Sequence, residues 1–487
     1  MKTSVRMLQC ALLAVAVAWT AEPAWAAKKK KAKKSEEPAK TEAVAKAEAA
    51  APAEKAAPPA FRYGADLRLR EEYFDNIPII ADPPGVTRNG ENNYFRVRPR
   101  LWAEWDAMEN VTLRARAVNE FRIYDKPDMD AAPQRSNYEF PDEVVFDHLY
   151  LDVRNLLGDK LDLRVGRQDL IYGTGKVVLE GTPKDGSRTI YFNAIKAVWK
   201  AMPKTTIDVF GIYNPSIDDL AINDSDRDLT GKTKNNDDIT ESGAGLYLKS
   251  KCVEKVPYEA YYIYKNESEW DQIVGTNPPA AVAESDVHTV GVRVMPQLAK
   301  DLKGNLEFAY QMGEQGDVDL EGWMLDAALS YAIPMAADTL TPVADVGFYA
   351  LSGDDPDTAD KNEAWNPLWA RYPQYSELYV YAWDAEQAGR WQNVMMPYVQ
   401  MSLKPCKKSK LTAMAGYLLA PEDNGPGTGD ERGMLLVLKD EITIAEKLLS
   451  SKDKLTGHLW AEILEPGNYY NVDDTAYFLR WELMYAF

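Results

Sequence analysis

The stretch TAYFLRWELMYAF, residues 475–487, alternates between two kinds of side chain. Because successive side chains of a β-strand point to opposite faces, one face of this strand is apolar and aromatic. The opposite face carries Arg480 and Glu482. A strand with lipid outside and water inside explains this pattern. The alternative is the last strand of a soluble sandwich.

The N-terminal residues predict a protein that leaves the cytoplasm. Lys2 and Arg6 precede a short apolar run, and AWA at residues 24–26 has the small-x-small pattern of a cleavage site. Residues 1–27 are therefore predicted to be a signal peptide. Residues 28–60 consist mainly of Lys, Ala, Glu and Pro and predict a disordered periplasmic tether. The lysines of this tether offer a contact with the cell wall, although a solvated tail is the simpler alternative.

The remaining residues, 61–487, predict a transmembrane β-barrel. These residues contain no stretch of roughly twenty apolar residues, which is the length that a helix needs to cross a membrane. Only helices and closed barrels pair all of their backbone polar groups in lipid. Apolar and polar residues alternate from Phe61 onward; in the fourth predicted strand, for example, Val145 and Leu149 face away from His148. A soluble β-helix or propeller would also alternate, but it requires a repeat of fixed period, which this sequence lacks.

The turns between the predicted strands alternate between short and long, as they do in outer-membrane barrels. The long polar loops are predicted near residues 75–91, 125–142, 174–187, 214–241, 268–284, 352–390 and 421–431. Residues 376–384 also resemble a strand, but placing them inside the loop 352–390 leaves an even number of strands, eighteen. The predicted fold is all-β: an antiparallel barrel of about eighteen strands, with short periplasmic turns and long extracellular loops.

Arginine is frequent at the inward positions of the predicted strands. Arginine keeps its charge and binds carboxylate or phosphate with two hydrogen bonds, and rings of Arg or Lys favour anions. Because carboxylates such as Asp66 and Glu482 share these strands, the arginines could instead form ion pairs that only stiffen the wall. The candidate lumen residues are Arg68, Arg70, Arg96, Arg98, Arg100, Arg114, Arg116, Arg167, Arg188 and Arg480.

Two motifs resemble those of a known family. Residues 163–173 read LRVGRQDLIYG and resemble the GRQ-x-L-x-YG strand of the alginate-export family of outer-membrane proteins. Residues 349–355, YALSGDD, and 365–368, WNPL, resemble the SGD strand end of that family and the loop after it. A weaker match covers residues 185–188, DGSR.

The resemblance implies an eighteen-stranded barrel with an electropositive, Arg-lined lumen that passes an anionic uronate polymer. The long acidic loops of this sequence have no counterpart in those motifs. By motif alone the resemblance transfers Arg167, Gln168, Gly173, Asp185, Arg188, Gly353 and Asp354.

One acidic loop contains weak candidates for a metal site. Asp224, Asp226 and Asp228 have the spacing that begins a calcium loop, but Leu229 stands where glycine is needed. A solvated acidic loop is the alternative. We therefore predict neither a metal nor a cofactor.

The remaining reactive residues do not predict an enzyme. Cys252 and Cys406 lie in separate Lys-rich turns and are expected to be free thiols. His148, His288 and His458 are far apart in strand order, and none has a recognisable Ser or Asp partner in the sequence.

The sequence predicts a passive channel in the outer membrane of a Gram-negative-type bacterium. Its expected partners are outer-membrane lipid and an anionic solute or oligosaccharide, and the net charge of −19 argues against nucleic acid. The alternatives are a general small-solute porin, a lipid-modifying barrel enzyme and a plugged surface-binding barrel.

Overall fold

The protein is represented by a computed structural model that describes most residues from Phe61 onward. The described ranges are 61–76, 91–128, 136–138, 144–180, 191–216, 220–222, 239–272, 280–334, 339–370, 375–378, 392–425, 427–471 and 473–487. The predicted signal peptide and tether, 1–60, lie outside them.

An antiparallel barrel of eighteen strands confirms the predicted fold class. The strands are β1 (Phe61–Asp75), β2 (Asn92–Met108), β3 (Val111–Val118, continued by Phe121–Lys126), β4 (Val144–Asn155), β5 (Leu161–Gln168), β6 (Phe192–Met202), β7 (Thr205–Asn214), β8 (Glu241–Ser250), β9 (Tyr258–Glu267), β10 (Ser285–Val294), β11 (Leu302–Gln315), β12 (Val318–Ala332), β13 (Val343–Leu351), β14 (Val394–Cys406), β15 (Ser409–Leu419), β16 (Glu431–Glu446), β17 (Lys454–Pro466) and β18 (Ala476–Ala486).

The other elements are short. They are the helical turn Leu156–Asp159 and the strands Leu170–Ile171, Val178–Glu180, Ala221–Ile222, Trp270–Gln272, Ala280–Val282, Gln297–Ala299, Lys361–Asn362 and Trp369–Ala370. Among the described residues, no helix is long and apolar enough to cross a membrane.

The barrel closes where β18 pairs with β1. The register runs from Asp66 opposite Ala486 to Asp75 opposite Tyr477. The alternation predicted for β18 is confirmed, since Tyr477 and Leu483 are exposed on the outer face whereas Arg480 is buried. Closure removes the unpaired edges that an open sheet would expose.

Apolar side chains cover the outer face of the barrel, as lipid contact requires. Aromatic residues concentrate toward the ends of the strands, where a bilayer meets water. Exposed aromatic residues near the end with the short turns include Phe61, Tyr63, Trp105 and Trp199.

A β-bulge in β4 reverses the predicted orientation of one residue. Arg116 pairs with His148 and Ala117 pairs with Phe146, so the intervening Asp147 is an extra residue. The bulge shifts the alternation by one position, and Val145 is buried at 1% exposure. The prediction that Val145 faces outward was therefore wrong.

The connections confirm the predicted contrast between the two ends of the barrel, although the turn between β11 and β12 is short. Gly316, at φ 60°, lies in a tight turn between β11 and β12 at the end with the long loops. Glycine adopts this left-handed conformation without steric cost. Residues 375–378 belong to the connection between β13 and β14 and to no barrel strand, as predicted.

Candidate functional site

The described residues of the loop between β13 and β14 (352–370, 375–378 and 392–393) fold into the barrel. The backbone N–H of Asn366 donates to Gln311 Oε1 at 2.9 Å, and Gln311 Nε2 donates to the Asn366 carbonyl at 2.6 Å. Lys265 Nζ donates to the Leu368 carbonyl at 2.9 Å. Gln311 and Lys265 are buried residues of β11 and β9, and Trp365 and Trp369 of the loop are fully buried. The described part of this loop therefore packs against the inner wall.

Residues 169–180 of a second loop, 169–191, meet the first one inside the barrel. Trp369–Ala370 pairs in parallel with Val178 and Leu179, and the Trp369 N–H donates to the Val177 carbonyl at 3.1 Å. The Leu170–Ile171 strand completes this small sheet. Its neighbour Tyr172 stacks on Phe210 and Tyr247 of the wall, with ring centroids 5.0 and 4.6 Å apart. We call the described residues of these two loops, 169–191 and 352–393, the inserted loops.

Lys176 ties the second loop to the opposite wall. Its ammonium forms an ion pair with Asp326 of β12, and both residues are buried. It also lies 5.0 Å from the ring centroid of Tyr349 and 5.6 Å from that of Tyr375. Sequence reasoning missed Lys176, because alternation within strands carries no information about a residue in a loop.

The family-type motifs lie at the bases of the inserted loops. Gln168 ends β5 and donates from Nε2 to the carbonyl of Ala194 on β6 at 3.0 Å. Gly173 has φ 57°, which favours glycine, and its backbone lies against the Tyr247 hydroxyl. These two residues therefore fix the direction in which the loop 169–191 enters the barrel.

The second motif begins the loop 352–393. The Ser352 hydroxyl accepts a bond from the Trp323 N–H at 2.9 Å. Gly353 packs so closely on Asn393 that a Cβ would overlap its side-chain oxygen. Asp354 Oδ1 accepts from the Glu363 N–H at 3.1 Å. Burial, with the nearby Glu363 charge, raises the pKa of the Asp354 carboxyl.

Six arginines form a cluster on the inner wall formed by β18, β1 and β2. All six are at most 9% exposed. Arg68 pairs with Glu120 at 2.8 Å, Arg70 with Glu482 at 2.6 Å, and Arg100 with Asp66 at 2.9 Å. The members of this arginine cluster are Arg68, Arg70, Arg96, Arg98, Arg100 and Arg480.

Glu72 lies at the centre of this cluster. Its carboxylate accepts ion pairs from Arg70 and Arg96 at 3.1 Å each and from Arg480 at 2.6 Å. The Tyr94 hydroxyl donates to it at 2.6 Å. Arg98 is fully buried among these groups. Many of the predicted arginines are thus held by carboxylates, and five members of the cluster form ion pairs with the four wall carboxylates Asp66, Glu72, Glu120 and Glu482.

The other candidate arginines lie apart from this cluster. Arg114 pairs with Glu104 and donates from Nε to His148 Nδ1 at 3.1 Å. Arg116 pairs with Asp147 at 2.7 Å.

Arg167 occupies a different environment from the predicted lumen arginines. It shares the strand phase of the exposed Val165, donates to Asn193 Oδ1 at 2.9 Å and lies over the ring of Tyr191. Its contacts place it at the seam between β4, β5 and β6, against Tyr191 at the end of the loop 169–191. The candidates Asp185, Arg188, Asp224, Asp226 and Asp228 lie outside the described residues.

A contact between the wall and the loop was missed by the sequence analysis. Arg480 Nη1 lies 2.6 Å from Glu377 Oε1, and Glu462 of β17 binds the backbone N–H groups of Glu377 and Leu378. The one available signal was Glu462 itself, a lone carboxylate in the inward row that also holds Trp460 and Leu464. Its partners are loop residues far away in sequence.

The histidines and cysteines are mostly placed as expected. His148 is a wall residue, but it does have an acidic partner, since its Nε2 lies 2.9 Å from Asp169. Strand order concealed this pair because Asp169 follows β5, whereas His148 lies in β4. Cys252 and Cys406 are free and exposed.

Comparison with known proteins identifies the family. The family profile described as alginate export matches residues 60–423, which is most of the chain. The chain belongs to the alginate export family. No curated protein matches its sequence significantly.

The fold of this family member is similar to that of solved porins from Pseudomonas aeruginosa. OccK5 (OpdH) has 11% identity and a TM-score of 0.53, covering 87% of this chain and 97% of its own. The outer membrane protein OpdK has 11% identity and a TM-score of 0.53, covering 88% and 98%. OpdK solved with vanillate has 9% identity and a TM-score of 0.51, covering 87% and 98%. Family and fold together support an outer-membrane channel.

Proposed function

We propose that this member of the alginate export family is a passive channel for anionic solutes, with acidic, uronate-type saccharides as the candidate class. Solute would diffuse along the arginine-rich inner wall past the inserted loops. Passage requires no bond to be made or broken, and therefore neither a catalytic residue nor a cofactor. Outer-membrane lipid would contact the apolar outer face.

The charge balance of the arginine cluster is the observation that carries this proposal. Among the described residues, its six guanidinium groups outnumber the five carboxylates that form ion pairs with them, which are the four of the wall and Glu377 of a loop. This balance would leave net positive charge at the inner wall. Guanidinium groups bind carboxylates through paired hydrogen bonds, and a low dielectric strengthens their attraction for an anion. An excess of fixed positive charge would favour anions over cations of the same size.

The ligand of one structural neighbour agrees with this class. OpdK has been solved with vanillate, which is a carboxylate. The sequence identity is too low to transfer that ligand to this chain. It supports only the idea that a barrel of this kind accommodates an organic anion.

A plugged surface-binding barrel is the second candidate, and the inserted loops favour it. The indoles of Trp365 and Trp369 and the ion pair of Lys176 with Asp326 fill space inside the barrel. A lumen closed to ions would then use its outer loops to bind a ligand. A general porin without charge preference would be expected if the buried ion pairs cancel the field of the arginines.

Solute flux through reconstituted protein tests the proposal. Proteoliposomes loaded with labelled glucuronate or glucose are compared for wild type, Arg98→Gln, and the control Lys452→Gln, whose charge lies in a turn at the opposite end from the loops. We expect glucuronate to leave faster than glucose, and Arg98→Gln to reduce that preference while Lys452→Gln preserves it. Equal rates in the wild type would support a general porin, and no flux would support the plugged barrel.

A further inference from the structure

We propose that Glu377 is a built-in competitor of the solute: its carboxylate occupies the face of Arg480 at which an incoming carboxylate would bind. Solute binding and displacement of residues 375–378 would then be coupled. This inference rests on the proposed function, because it requires an anionic solute in the lumen.

Arg480 is buried and shared between two carboxylates. Its Nη2 lies 2.6 Å from Glu72 Oε1, and its Nη1 lies 2.6 Å from Glu377 Oε1. The guanidinium carbon lies 5.2 Å from the ring centroid of Trp460 and 5.0 Å from that of Phe478. One carboxylate therefore comes from the wall strand β1, and the other comes from an inserted loop.

Glu462 holds the same loop segment through its backbone. Its Oε1 accepts the N–H of Glu377 at 2.8 Å, and its Oε2 accepts the N–H of Leu378 at 3.2 Å. Oε2 also accepts the hydroxyl of Ser376. All of these residues are buried. The Glu462 carboxylate therefore holds residues 376–378 in place.

The segment also reaches toward another part of the wall. The Tyr375 hydroxyl donates to Asp326 of β12 at 3.3 Å, and the Tyr375 ring lies 5.2 Å from that of Tyr349 on β13. Residues 375–378 thus connect β12 and β13 with β17 and β18 through the interior. Displacing this segment from Arg480 would alter the path through the lumen.

Exchange of one carboxylate for another conserves the charge balance around Arg480. Leaving a buried guanidinium without a partner would be costly, but an incoming carboxylate replaces the one that departs. Glu72 cannot depart, because it belongs to a paired strand of the barrel. Glu377 lies on a loop and can move, at the cost of the bonds to Glu462.

Block of single-channel current by glucuronate tests this competition. Glu377→Gln retains a hydrogen-bonding side chain but loses the competing charge, so glucuronate should block at a concentration lower by roughly tenfold, within the usual range of coupling between sites. Asp357→Asn is the matched control, since it removes one charge from an exposed position of the same loop. Asp357→Asn should behave like the wild type. Any block by glucose should be the same in the wild type and in every variant.

Glu462→Gln provides an independent variant in case Glu377→Gln fails to assemble. A glutamine amide keeps one acceptor oxygen but has a donor in place of the other, so one of the two backbone N–H groups loses its acceptor. The segment should then be held less tightly, and glucuronate block should again strengthen. If glucuronate blocks the wild type and both variants at the same concentration, the competition is refuted while the anion channel stands. If glucuronate blocks none of them and the channel has no anion preference, both proposals fail.

Discussion

Arg480 lies 2.6 Å from Glu377, and this contact joins the strand that closes the barrel to the loop between β13 and β14. The same arginine pairs with Glu72 in the centre of the arginine cluster. Barrel closure, loop position and inner-wall charge are therefore connected at one guanidinium group. Substitutions around it should affect stability and conductance in separable ways.

Removal of the central carboxylate should destabilise the barrel. Glu72→Gln leaves Arg70, Arg96 and Arg480 without their shared charge, and breaking a buried ion pair costs about 3–5 kcal/mol. The expected result is a lower unfolding temperature in detergent, measured by the heat-dependent shift in gel mobility. Glu441→Gln is the control: this exposed residue lies 3.9 Å from Lys439 and Lys410, and such pairs contribute about 0–1 kcal/mol. Equal shifts for the two variants would contradict the central role of Glu72.

Trp369→Ala should release both inserted loops together. The indole is fully buried and packs against Phe192, with ring centroids 5.8 Å apart, and truncating a buried Trp costs about 3–5 kcal/mol. Since Trp369 also pairs with the other loop, limited proteolysis should accelerate in both 352–393 and 169–191 while the barrel persists. Leu449→Ala, in an exposed turn, should leave cleavage unchanged. Faster cleavage in only one loop would argue against their pairing.

Gly353→Ala should disturb the base of the loop 352–393. A Cβ would overlap Asn393, whose amide donates to Asn424 at 2.7 Å and to the Glu422 carbonyl at 3.0 Å. We expect noisier single-channel current, because Asn393 would no longer hold the loop 352–393 against residues 422–424. Gly211→Ala is the matched control, since its Cβ would meet nothing closer than Ile195 at 3.5 Å. Quiet current in Gly353→Ala would show that the loop base tolerates the shift.

Acid should stabilise the loop base at Asp354. Burial and then the charge of Glu363 raise the pKa of this carboxyl, so the folded protein binds the proton more tightly than the unfolded chain does. The resulting stability is present below the ordinary aspartate pKa and is lost as the pH rises through the raised value. Asp354→Asn should flatten this part of the pH profile of unfolding, measured between about pH 3 and about pH 7. An unchanged profile would contradict the assignment.

The residues of the inner wall could be predicted because inward and outward side chains alternate with a period of two that is visible in the sequence. Arg68, Arg96 and Arg480, which this alternation assigns to the inner wall, are buried in the structure. The prediction failed at Val145, where the bulge at Asp147 inserts one residue and inverts the alternation. No local pattern marked that bulge, because it depends on how β3 and β4 pair.

The inserted loops could not be predicted in the same way. The contacts of Glu377 with Arg480, and of Lys176 with Asp326, join residues far apart in sequence and follow no period. The motifs at Gln168 and Gly353 marked the places where the loops begin. The paths that the loops take depend on packing against residues such as Gln311 and Lys265, which alternation describes only as inward-facing.

The reversal potential of single channels under a salt gradient tests the central claim most directly. The excess of guanidinium groups at the inner wall predicts a potential with the sign of anion selectivity, and Arg98→Gln should move it toward zero. A reversal potential near zero, or one with the sign of cation selectivity, in the wild type would contradict an anion channel.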